Sequence, residues 1–329
     1  MSILSFIYQK CLLSPDNRRV LPKLRAKIFR LIRRLILCFG DPPCRMEIWQ
    51  RRFWMPFSHE RPLNLRGPGY YDQLIGRIAR FIRLRQSRIC GIDVGANIGD
   101  TIAACDARNE DQFLAIEPNP VFFKYLNRNL KGFSNVRLLK VGCAASDSSP
   151  KGGSGMPTNR VDTLVEQFPE FRDCNFLKID TDGYDFEVLR GARALIARAQ
   201  PVVLFECQMW NNAKYVEDIF EIFRLFAESG YSHALVYDNL GYLYGPLDLK
   251  NPLGMSQALF YELSSARCYF DVLVMQDVSA FLRREFEFYL DGIHDLHWRT
   301  AAEHAARMVA ANGGLGEVKF DVRNLDQGS

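Results

Sequence analysis

Apolar and polar positions along the chain fall into helical and strand-like periods. From Leu21 onward, Leu24, Ile28, Leu31, Ile32, Leu35 and Ile36 recur at three- and four-residue spacing. That spacing predicts a helix, with Pro22 suited to its first turn and Gly40 to Pro43 ending it. Leu74, Ile75, Ile78, Phe81 and Ile82 form the buried stripe of a second. From Cys90 the pattern alternates, with short apolar runs predicting strands at 92–95, 113–117, 136–143, 176–180 and 202–206. Between them lie helical stretches at 121–130 and 187–198 and a short helix or turn at 160–167, with another helix at 214–228. This alternation is the signature of an α/β fold, a doubly wound, mostly parallel sheet with helices on both faces. Residues 234–237 and 242–244 flank a turn at 238–241, 269–275 is a last strand, and helices fill 280–290 and 298–311. A glycine-containing polar loop spans 146–158, and a tail follows Asn312. The expected organisation is a basic amphipathic segment over 1–55, a Rossmann-like domain over 56–279 and a helical extension over 280–329.

The first strand of the alternating region runs into Gly95 Ala96 Asn97 Ile98 Gly99 before a helix begins. Glycines there admit backbone angles closed to other residues and let a ligand approach the amides of the helix start. A dinucleotide pyrophosphate needs a glycine in the middle of this turn, where the chain has Asn97, so an adenosyl ligand without phosphates fits better. Glu117 follows the glycines by about 20 residues, the placement of a ribose-diol acceptor. Asp93, Glu117, Asp180 with Asp182, and Glu206 all fall at strand carboxyl ends, where open parallel sheets bind ligands. Carboxylates beside an apolar core are costly unless paired, so a cationic ligand such as S-adenosylmethionine would explain them.

Two blocks carry a family resemblance. Ile92 to Asp100 reads IDVGANIGD, and Lys178 to Ala192 reads KIDTDGYDFEVLRGA. The chain resembles the FkbM family of class I S-adenosylmethionine-dependent methyltransferases, whose second block has glutamate where this chain has Asp182 and Asp185. The resemblance extends over about residues 55–275 and includes a Met55 Pro56 … His59 stretch upstream. It implies methylation of a hydroxyl on a glycan, glycolipid or secondary metabolite. Gly95, Ala96, Asn97 and Gly99 would line the methionine end of the cofactor through their backbone, and Asp93 would order the turn or receive the amino group. Glu117 would take the ribose, and Ala144 and Asp147 would neighbour the adenine. Asp180 and Asp182 would face the transferred methyl, with His59 joining them from a lid-like loop. Bland readings stand beside these: acids at a helix start are favoured by its dipole, and loop histidines are commonly hydrogen-bonded surface residues.

Composition changes the picture in one place. An apolar content of 48% and a charged content of 24% are ordinary for a folded protein, and the net charge is +4. Residues 1–55, however, hold twelve Lys and Arg against three acids. The basic excess therefore belongs to the N-terminal segment, and nothing near Gly95 or Asp180 has the basic and aromatic interleaving of a nucleic-acid site. Residues 21–39 read either as a helix on an anionic membrane surface or as one whose apolar face packs on protein. No stretch is long and apolar enough to span a bilayer. Nine scattered cysteines without CxxC pairs suggest reduced thiols and a cytoplasmic protein, peripheral at the inner membrane face if the helix binds lipid. No metal is expected, since Asp180 and Asp182 have no further ligand placed by spacing and His294, His297 and His304 lack a zinc pattern. The oligomeric state is open. Two rivals remain: a nicotinamide oxidoreductase on the same unit, and a non-catalytic binding protein retaining the fold.

Overall fold

The computed structural model describes residues 2–12, 20–65, 69–149, 156–209, 212–265, 269–313 and 315. Twelve strands are present among them. In chain order they are β1 Pro43–Ile48, β2 Arg51–Pro56, β3 Cys90–Val94, β4 Gln112–Ile116, β5 Val136–Leu139 and β6 Gly142–Cys143. The series continues with β7 Thr158–Asn159, β8 Phe176–Ile179, β9 Val202–Cys207, β10 His233–Asp238, β11 Leu243–Asp248 and β12 Phe270–Val274.

Eight of these form one sheet in the order β11-β10-β12-β9-β8-β3-β4-β5. Strands β9, β8, β3, β4 and β5 pair in parallel. β12 runs antiparallel to both β9 and β10, so β10 points the same way as the parallel set. The continuous apolar runs of β3, β4 and β8 are what a sheet covered on both faces demands. One apolar core lies on each face, the first joining Val94, Ile179 and Phe205 and the second Ile78, Ala96, Phe113 and Phe281. The expected α/β architecture is therefore present, and its strand order reverses between β3 and β8, the kind of crevice where such sheets bind ligands.

Several local features depart from the predicted pattern, the helices Ile3–Cys11 and Arg61–Asn64 among them. The strand expected over 136–143 is two: β5 stays in the sheet, and β6 leaves it to pair with β7. The helix expected over 187–198 divides into Asp185–Gly191 and Arg193–Ala199, meeting at Ala192. An unanticipated helix, Pro252–Ser265, has apolar residues on all sides, so its periodicity is faint; Met255 and Leu259 are buried while Leu253 and Phe260 are exposed. The hairpin of β1 and β2 was also unanticipated, because Trp49 and Gln50 adopt the positive φ angles of its turn in place of the usual glycine or asparagine. The expected tail beyond Asn312 and part of the 146–158 loop fall mostly outside the described residues.

The N-terminal segment shares a core with the sheet domain. Tyr8, Cys44, Met46, Ile48, Phe53, Met55 and Phe57 cluster with Ile98, Ala103 and Tyr125. Asn129 ties the layers together: its Oδ1 accepts from Trp54 N at 2.8 Å, and its Nδ2 donates to Trp54 O at 2.8 Å and Ile98 O at 3.0 Å. At the other end of the chain, Glu285 of helix Val278–Asp291 accepts two hydrogen bonds from buried Arg77, at 2.7 and 2.9 Å. The described cysteines are all free. No helix among the described residues is long and apolar enough to cross a membrane.

Candidate active site

The carboxyl ends of β3, β4 and β8 open on a cavity of about 570 Å³, a nucleoside-sized space. Its wall includes His59, Gly95, Asn97, Glu117, Asp180 and Asp182 of the anticipated residues. Arg61, Phe122, Gly142, Cys143, Met156, Thr158, Lys178 and Tyr184 also line it.

The turn after β3 is set by backbone demands. Amides of Gly95 and Ala96 both donate to Ile116 O at 3.0 Å, crossing from β3 to the end of β4. Gly95 has φ +81°, and a Cβ there would lie 1.8 Å from Asp180 O, so only glycine lets the ends of β3 and β8 meet. Asn97 also has positive φ, at 48°. Its amide donates to Glu117 Oε2 at 2.8 Å, and Asn119 N donates to Oε1 at 2.7 Å. Two amides thus aim the Glu117 carboxylate while leaving acceptor lone pairs free. Burial raises the Glu117 pKa, with those same amides opposing the rise.

Beneath the turn is a residue that strand patterning concealed. Lys178 sits in β8 among apolar neighbours and is 6% exposed. Its Nζ is 3.1 Å from Asp180 Oδ2, 3.5 Å from Asp93 Oδ1 and 3.5 Å from Gly95 O. Burial opposes its charge, but Asp180 and Asp93 outweigh that and hold its pKa above the ordinary lysine value. Burial likewise raises Asp93, against the attraction of Lys178. For Asp180 burial would act upward too, yet Lys178 and then Arg61 bring its pKa below the usual carboxylate range. The side chain of Asp180 remains exposed to the cavity, an ionised acceptor with a buried counter-charge behind it.

A wall of carboxylates continues from Asp180. Asp180, Asp182 and Glu206 each offer an oxygen within 4.8 Å of the others. Burial, followed by the repulsion of Asp180, pushes Glu206 up to about 9 and Asp185 up to about 7. Asp182 is raised for the same two reasons. This spacing could surround a divalent cation, with Glu206 adding a third carboxylate that sequence spacing did not place beside Asp180 and Asp182. Asp185 is the helix-start acid of the second motif, and its Oδ2 accepts from Thr181 N and Oγ1 at 3.2 and 2.9 Å.

The loop from the N-terminal segment closes the cavity on the opposite side. Arg61 N donates to His59 Nδ1 at 3.2 Å, which leaves the ring proton on Nε2, 3.0 Å from Asn97 Oδ1. Burial lowers the His59 pKa, so the ring is a neutral orienter of Asn97 with both nitrogens engaged. His59, expected to take a catalytic part, lies in the cavity wall, where its contact with Asn97 positions the turn. Arg61 pairs with Asp72 and, at 2.5 Å, with Asp100 at the start of the helix after the glycine turn. Neither Arg61 nor Lys178 was given a role from the sequence, although Lys178 opens the second family block.

Five anticipated residues are not among those lining the cavity. Asp93 is buried beneath the turn against Lys178. Ala96 packs in the apolar core. The Cβ position of Gly99 faces Leu126 and Leu130, so this glycine serves helix packing. Ala144 is outside the cavity wall and hydrogen-bonds Asn159 O through its amide. Asp147 is committed to Arg160 N at 2.8 Å and Thr163 Oγ1 at 2.8 Å, contacts that draw its pKa down to about 2. From this part of the chain Gly142 and Cys143, with Met156 and Thr158, line the cavity.

The family profile described as "Methyltransferase FkbM domain" matches residues 93–233. No curated protein matches the chain. Among solved structures, an FkbM methyltransferase from Methylobacillus flagellatus is 18% identical, with a TM-score of 0.37 over 45% of this chain and 40% of that one. The chain thus covers less than half of that protein's length. The N-terminal domain of human METTL16 is 13% identical, with a TM-score of 0.42 over 83% and 91%. An Aeropyrum pernix fibrillarin solved with S-adenosyl-L-methionine is 11% identical, with a TM-score of 0.36 over 72% and 83%.

Proposed function

Because residues 93–233 match the methyltransferase FkbM domain profile, we propose that this protein transfers a methyl group from S-adenosylmethionine to a hydroxyl of a glycan, glycolipid or secondary metabolite. One observation carries the reading. A single cavity brings together the Gly95 to Asn97 turn, the amide-oriented carboxylate of Glu117 and the ionised Asp180. The donor set fits the cofactor: Glu117 has lone pairs for two ribose hydroxyls, and the acidic wall suits a sulfonium and an amino group. When bound, S-adenosylmethionine supplies an electrophilic methyl carbon.

The chain's own residues then have two tasks. Alignment of the acceptor oxygen with the methyl carbon supplies most of the acceleration, since in-line displacement depends chiefly on geometry. Asp180 receives or orients the acceptor's hydroxyl proton, adding about 10²- to 10⁴-fold. Lys178 keeps Asp180 ionised, and His59 with Arg61 fixes the loop that faces it.

Calorimetry with S-adenosylhomocysteine tests the cofactor assignment. Micromolar binding is expected, weakened about tenfold or more in Glu117→Ala by loss of charge-assisted hydrogen bonds. Asp180→Asn should leave that affinity intact and lower methyl transfer to glycan or lipid acceptors by about 10²-fold. Thermal stabilisation by NAD and none by S-adenosylhomocysteine would establish the oxidoreductase instead.

A further inference from the structure

Helix Val20–Leu37 is mounted the wrong way round for a packing helix. At about 3.6 residues per turn, Leu24, Ile28, Leu31 and Leu35 form one straight row. That row is exposed, Leu24 at 54% and Leu31 at 58%, and Phe39 just beyond the helix is 94% exposed. Ala26 and Arg33, on the opposite side, are the buried residues. Arg33 donates inward to Phe57 O at 3.0 Å and Ser58 O at 2.6 Å, and its guanidinium lies 4.8 Å from the Tyr8 ring centroid. A helix that seats Arg33 and the half-buried Ile36 and Leu37 against protein and turns Leu24, Ile28, Leu31 and Leu35 to solvent has an apolar row without an occupant among the described residues.

The charges around the row indicate the occupant. Arg25, Lys27, Arg30 and Arg34 are exposed beside it, and no acid occurs between Val20 and Gly40. The next acid, Asp41, turns both oxygens to Ser58. A symmetric pairing with a second copy would set these cations against one another. An apolar row flanked by cations matches a lipid surface bearing anionic headgroups. We infer that the outward face of this helix docks the protein on an anionic membrane surface, through Leu24, Ile28, Leu31 and Leu35 with their neighbouring Lys and Arg. The inner face of the same layer holds the loop that lines the active site, since Arg33 grips Phe57 and Ser58 and Tyr8 donates to His59 O. Docking does not depend on the proposed chemistry; if that chemistry also holds, the acceptor is presented at the membrane.

Flotation of the full chain with phosphatidylcholine vesicles, with and without phosphatidylglycerol, tests this. The protein should float only with the anionic vesicles and be released as salt rises. Leu31→Glu combined with Leu35→Glu should abolish flotation without changing the thermal melt, because both residues are exposed. Replacing Lys27, Arg30 and Arg34 with glutamine should lower partitioning about fivefold per residue. A wild-type protein that stays unbound, flotation that survives the double glutamate variant, or a dimer that this variant dissolves would overturn the inference. S-adenosylhomocysteine affinity measured on the same preparations separates failure of the methyltransferase reading from failure of docking.

Discussion

At the residue scale, the site depends on how buried charges are balanced. Lys178 has two carboxylates and a carbonyl around it, so removing its charge leaves buried Asp93 without a counter-ion. Lys178→Met should therefore destabilise the fold by about 3 kcal/mol, at the low end for a broken buried pair because Asp180 keeps solvent contact. Denaturant titration measures this, and an unchanged midpoint would show that Asp93 is satisfied some other way. Glu206 gives the opposite dependence. Its folded pKa of about 9 lies above the ordinary 4.5, so the folded state holds the proton over that interval. Folded stability should then fall as pH rises from about 4.5 to about 9. Glu206→Gln, which cannot ionise, should flatten that decline in denaturation curves taken across the range; an unaltered profile would place the proton elsewhere.

At the element scale, the N-terminal hairpin is part of the sheet domain's support. Among the described residues strands β1 and β2 pair only with each other, and two-stranded ribbons are marginal alone. What holds them is the shared core with Ile98 and Tyr125, together with the Asn129 amide bridging Trp54 and Ile98. Asn129→Ala should cost about 1 to 3 kcal/mol for each backbone group left unsatisfied. It should also speed amide exchange in β2 ahead of the sheet, since the hairpin would open locally. Exchange of β2 at the wild-type rate would mean that side-chain packing alone anchors it. The same element carries the Phe57 to His59 loop, so loosening it should reach the cavity through the contact of His59 with Asn97.

At the scale of the whole molecule, one sheet organises both ends of the chain. Helix Gln73–Gln86 packs on it beside Val278–Asp291, joined by the buried pair of Arg77 and Glu285, while the N-terminal layer covers the turn after β3. Much of this was legible from residue order. Alternating apolar runs determine a parallel sheet, because strands covered on both faces must be continuously hydrophobic while their crossovers repeat helically. The Gly95 turn and Glu117 could be located by spacing, since both roles depend on neighbours along the chain. Other assignments depend on distances that sequence separation does not encode. Lys178 reads as a flaw in a strand until Asp93 and Asp180 converge on it. Gly99 and Asp147 belong to plausible motifs, yet packing turns one toward Leu126 and hydrogen bonding commits the other to Arg160. The periodicity over 21–36 established an amphipathic helix and nothing about which side faces inward. Tertiary structure decided that by giving Arg33 the carbonyls of Phe57 and Ser58, a better partner for a buried guanidinium than any leucine row could offer.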